Sequence, residues 1–118
     1  MSTKELILYI VWYAYEHNFL ITTNRLVKFL YLADLYYFRI YRETLTKIPW
    51  HFVYYGPYDT QAMDAIDSCV SENLILKDTH MSKFSDTEWH DFKPKSPHDR
   101  NIAEIESKLH IYVLSELK

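Results

Sequence analysis

His80, His90, Asp91 and His98 fall within nineteen positions, and imidazoles beside a carboxylate are the side chains that bind transition metals. No two of these residues have the helical i, i+4 or short-hairpin spacing that closes a tetrahedral site, so the pattern argues against a metal centre. Nucleophilic chemistry finds no better support. Cys69 falls on an apolar helical face, where a thiol is buried and inert, and no serine or cysteine has a base beside it in sequence. Gly56 is the single glycine in 118 residues. Phosphate loops and dinucleotide fingerprints each need several glycines for close backbone approach, so both are excluded. The expectation is a protein without catalytic residues, cofactor or metal.

The elements that would carry these residues read as mostly helical. Leu6, Ile10, Tyr13 and His17 share one face of a first helix over Lys4–His17, and Ile7, Val11 and Ala14 share the next, so the helix is apolar almost all round and central. Thr22 or Thr23 caps a second helix whose stripe is Leu26, Phe29, Leu30, Ala33, Tyr37 and Ile40. Arg25, Lys28 and Asp34 fall off that stripe. From Ile48 to Tyr55 the period changes to two, with Trp50, Phe52 and Tyr54 alternating against His51, Val53 and Tyr55, which predicts a strand. Gly56-Pro57 breaks it, and Asp59 caps a third helix to about Asn73, with Ala62, Ile66, Cys69 and Val70 inward and Asp64, Asp67 and Glu72 outward. Leu74–Leu76 reads as a short strand, Lys77–Lys95 as a hairpin or ordered loop. Ser96-Pro97-His98-Asp99 opens a fourth helix carrying Ile102, Ile105, Leu109, Tyr112 and Val113. The fold class expected is mainly α with a small antiparallel β element, in a single compact helical domain over residues 1–118.

The totals agree with one domain of ordinary solubility: 48% apolar, 25% charged, net charge −3. The uncharged run Leu6–Tyr15 is half the length of a membrane span and is followed by Glu16-His17-Asn18 rather than a small-residue cleavage site. With one cysteine and no export signal, a cytoplasmic location is expected, without membrane contact. Ten of the eleven tyrosines precede Asp59, so the aromatic surplus belongs to one half of the chain.

Three stretches carry a resemblance. Ile21-Thr22-Thr23 leads into Leu26-Val27-Lys28-Phe29-Leu30-Tyr31-Leu32-Ala33-Asp34; Trp50 follows, and then Tyr55-Gly56-Pro57-Tyr58. In order and spacing, over about Ile7 to Ile75, this resembles the Panacea antitoxin domain, in which such a helix precedes a strand ending in a Gly-Pro turn. Lys28, Tyr31, Asp34, Trp50, Tyr55, Gly56 and Pro57 match the family pattern. The resemblance implies a mostly helical domain with a small sheet, acting as the antitoxin of a bacterial or phage toxin–antitoxin pair, with a cognate protein toxin as partner. Family members continue past the last helix into a serine-x-x-threonine-histidine segment with a nearby tryptophan, whereas this chain ends at Lys118 in or just after that helix.

Beside the resemblance, the residues themselves suggest where contact would fall. Tyrosine and tryptophan left at a surface anchor interfaces, since they add area at low entropic cost. The candidates are Tyr36, Tyr41, Trp50, His51, Tyr54, Tyr55 and Tyr58. Lys28 and Asp34, six apart, do not face each other on a helix; Asp34 reads as a buried hydrogen-bond acceptor and Lys28 as a structural ion pair or a solvated charge, with contact to a partner the alternative for both. Gly56 before proline supplies a backbone angle other residues resist. The rival reading is a winged-helix DNA-binding regulator with the third helix in the major groove. Ile48–Asp91 holds eight acids against Lys77 and Lys83, however, so phosphates would be repelled, DNA is an unlikely partner, and a basic protein suits this stretch better. A role as proteolytic adaptor for the toxin stays open.

Overall fold

A computed structural model describes residues 2–54, 56–84 and 86–95. Within them the order is α1 (Thr3–Glu16), α2 (Thr23–Tyr41), β1 (His51–Val53), β2 (Gly56–Tyr58), α3 (Thr60–Ser71), β3 (Ile75–Met81) and β4 (Glu88–Pro94). The helices thus share the molecule with two antiparallel hairpins, β1–β2 and β3–β4, and the class is mixed rather than purely helical. The fourth helix expected from Ser96 onward lies outside the described residues.

Each helix starts where the sequence supplies an acceptor for its unpaired amides. Ser2 caps α1 in a capping box with Glu5, Thr22 Oγ1 accepts from the Arg25 amide, and Asp59 accepts from the Gln61 amide at 2.8 Å. Helix α2 ends in Arg42 at φ 60°, a left-handed cap. Leu6, Ile7, Ile10, Val11 and Ala14 of α1 are all buried, as an all-round apolar helix requires. Leu26, Leu30 and Ala33 of α2, Ala62, Ile66 and Cys69 of α3, and Ile75 and Phe92 of the second hairpin close the same core. Burial pushes the Cys69 thiol up to about 11, so it stays protonated at neutral pH. Helix α2 outruns this core: Phe38, Ile40 and Tyr41 of its last turns are exposed.

Two expectations change. The strand expected over Ile48–Tyr55 is only His51–Val53, and Gly56-Pro57 does not end the pairing but begins the returning strand, with Phe52 opposite Pro57 and Val53 opposite Gly56. Proline is tolerated because both strands of a two-stranded ribbon are edges, where a missing N–H costs no ladder bond. The short strand expected at Leu74–Leu76 runs to Met81 and pairs with Glu88–Pro94, so the polar stretch is a hairpin. Asp34, although off the apolar stripe, is 1% exposed and accepts hydrogen bonds, as its reading as a buried acceptor requires. The second hairpin is stitched to the connection between α1 and α2: the Phe92 amide donates to the Ile21 carbonyl at 3.1 Å, and Thr22 bridges Asp91.

Gly56 sits at φ +125°, and a Cβ built there meets nothing within 4 Å. Its requirement is therefore conformational rather than steric. Gly56→Val is expected to destabilise the fold by about 1–3 kcal/mol. Thermal melts of the two proteins check this, and an unchanged midpoint would refute it.

Candidate partner-binding site

The motif residues of α2 divide by what they touch. Asp34, buried on α2, collects the loop that follows the helix. Its Oδ1 accepts from the backbone amides of Leu45 (2.9 Å) and Thr46 (3.0 Å). Its Oδ2 accepts from the Thr46 hydroxyl and from the Trp50 indole N–H, the latter at 2.9 Å. A carboxylate taken out of water is costly unless its lone pairs are filled, and here four donors fill them. The loop is thus fixed at Leu45, Thr46 and Trp50 without regular secondary structure. Tyr31, one turn before Asp34, sets its ring edge-on to both Trp50 (5.7 Å) and Phe52 (5.3 Å). Tyr31, Asp34 and Trp50 thus form a clamp that holds the root of the first hairpin against α2.

The clamp leaves the hairpin's end in solvent. Phe52 is 69% exposed, Val53 40% and Tyr54 fully so, three consecutive apolar residues on one short arm. His51, also exposed, places Nε2 3.4 Å from Oδ2 of Asp59, the carboxylate that caps α3, and so braces the arm's base. Tyr58 is half-buried. Tyr55 lies outside the described residues. Trp50 is half-buried and committed to Asp34 through its N–H, so it serves the clamp first. Tyr36, covered by the Arg39 guanidinium at 5.1 Å, and Tyr41, whose ring is tilted against that of Tyr37, belong to the far turns of α2. Tyr36 lies about 7.5 Å and Tyr41 about 15 Å along the helix from Tyr31, on the side away from the helix start.

Phe52 was not among the nominated contact residues, although its place in the alternating stretch is a signal that could have found it. Thr46 had no signal, because nothing in its spacing marks a donor to a carboxylate twelve residues back. The imidazoles are dispersed. His80 stacks on Trp89 and stands 3.4 Å from Asp91, while His90 lies on the other face of the hairpin beside Thr79. Among the described residues no group of three or more histidines, cysteines and carboxylates is placed to hold a metal. His98 lies outside them.

The remaining motif residues meet elsewhere. Lys28 and Pro57 line one cleft of about 360 Å³, together with Thr23, Asn24, Arg25, Val27, Tyr58 and Met63. It opens between the first turns of α2, strand β2 and α3.

A family model described as antitoxin SocA-like, Panacea domain, matches residues 26–118. The chain belongs to this antitoxin-like family. The match begins at Leu26, the first residue of the α2 motif, and extends well past Ile75, so it leaves out α1 and takes in the second hairpin. No curated protein and no solved structure shows significant similarity.

Proposed function

We propose that this protein is a non-catalytic antitoxin that neutralises a partner toxin by direct contact, with the first hairpin as the anchor of the interface. The observation that carries this is the exposed Phe52-Val53-Tyr54 arm, held out by a clamp built on the buried, fully satisfied Asp34 carboxylate in a chain of an antitoxin-like family. Rigid support matters because an anchor that is already ordered loses little entropy on binding. The test is co-expression with the product of an adjacent small reading frame that kills cells when expressed alone. Rescue of growth supports the reading, and failure of the wild type to rescue removes it.

The element order, with a hairpin after α3, also fits a winged-helix DNA reader. The outer face of α3 opposes that use, since Asp64 and Asp67 are exposed and Thr60–Ser71 contains no lysine or arginine. Phosphates would be repelled from the helix that should enter the groove. A gel-shift titration at physiological salt is expected to show no sequence-dependent duplex binding; tight, specific retardation would reverse the choice. Among the described residues no helix is long and apolar enough to cross a membrane.

A further inference from the structure

The clamp explains Tyr31, Asp34 and Trp50, but Lys28, Gly56 and Pro57 play no part in it. The structure gives these three a common location. Gly56 at φ +125° turns the chain into β2, and Pro57 and Tyr58 then form one wall of the cleft whose opposite wall is the first turns of α2. Val27, Pro57 and Met63 make an apolar lining. Two cations stand at the rim, and only one is committed. Arg25 donates from Nη1 to the Leu20 carbonyl at 2.8 Å and lies over the Phe19 ring at 5.0 Å. Lys28 is exposed and has no ion-pair partner among the described residues. A cleft of this size fits one or two side chains, and an uncommitted ammonium beside an apolar lining is complementary to a carboxylate next to an apolar group.

We infer that this cleft receives an extended segment of the partner protein in which an acidic residue neighbours a large apolar one: the carboxylate pairs with Lys28 and the apolar side chain lies against Val27, Pro57 and Met63. The inference rests on the antitoxin reading and adds to it a second contact, of opposite character to the hydrophobic arm. The arm supplies buried area. The cleft selects among partners by charge, since a segment with lysine at the same place would set two ammonium groups together.

The test has two arms. In the first, a capped tetrapeptide of alternating leucine and glutamate is titrated into the protein and followed by amide-resolved NMR. Shifts are expected at Asn24, Lys28, Tyr58 and Met63, with a dissociation constant on the order of 1 mM, weakened about tenfold in Lys28→Glu. The glutamine version of the peptide should bind at least about tenfold more weakly. Absence of cleft shifts, equal binding by the glutamine peptide or by Lys28→Glu, or the same shifts from inorganic phosphate alone would each overturn the inference. In the second arm, Lys28→Glu, shown by thermal melt to be folded, is co-expressed with the toxin. If wild type rescues growth and Lys28→Glu does not, the cleft is part of the interface. If both rescue, the cleft is wrong and the antitoxin reading stands. If wild type does not rescue, the antitoxin reading falls and the peptide titration alone decides the cleft.

Discussion

Asp34→Ala is expected to lower stability by about 3–5 kcal/mol, enough to shift the thermal midpoint by about 10 °C or more in a domain of this size. The substitution removes the acceptor for two backbone amides and an indole N–H at once, and leaves a cavity on a helix face that touches the core. Asp34→Asn tests the chemistry at constant volume. Its one carbonyl oxygen can still accept, but its amide nitrogen meets donors where the second carboxylate oxygen met Thr46 and Trp50. Both variants should red-shift the tryptophan emission as the loop carrying Trp50 comes free. Melts within about 0.5 kcal/mol of wild type would show that the four bonds do not hold the loop.

The second large effect belongs to the arm. Tyr54→Ala or Phe52→Ala is expected to cost at least about 2 kcal/mol of toxin binding, roughly thirtyfold in dissociation constant, with no more than a small change in folding stability. The asymmetry follows from exposure. Tyr54 is fully exposed, and Phe52, 69% exposed, sets its ring edge-on to Tyr31 and pairs with Pro57 through the backbone. Calorimetry with the purified toxin measures the affinity, and co-expression gives the cellular readout. If both folded variants bind and rescue as wild type does, the interface lies elsewhere, with Tyr36 and Tyr41 at the far end of α2 the next surface to test.

What was legible in the chain follows the range of the forces involved. Helix positions and caps depend on neighbours within four residues, so Asp59 could be identified as a cap directly and the α2 cap narrowed to Thr22 or Thr23, with Ala62, Ile66 and Cys69 as an inner face. The direction of Asp34 was harder. Its spacing sets it beside the apolar stripe, and only the loop that returns over it, through Leu45, Thr46 and Trp50, makes that position buried. Its role as an acceptor was readable from residue type; its partners were not. The first hairpin shows the converse limit. Alternation marked Trp50 to Tyr55 as extended, yet where the chain folds back depends on which residues the clamp holds, and that moved the turn ahead of Gly56. Exposure was least legible, because Trp50 and Tyr54 are equivalent by period and differ only in that one finds a carboxylate.

The seam between Ile21 and Phe92 has a consequence for the chain during its synthesis. Helices α1 and α2 can pair as soon as both are made, but the backbone of Ile21 and Thr22 between them meets its strand partner only about seventy residues later. At about 5–20 residues per second, roughly 4 to 14 s separate the emergence of the two sides. Through that interval the Ile21 carbonyl lacks the Phe92 amide that it meets in the finished fold. The link between α1, α2 and the second hairpin is thus a late event in the life of the chain, completed only once Phe92 has been made.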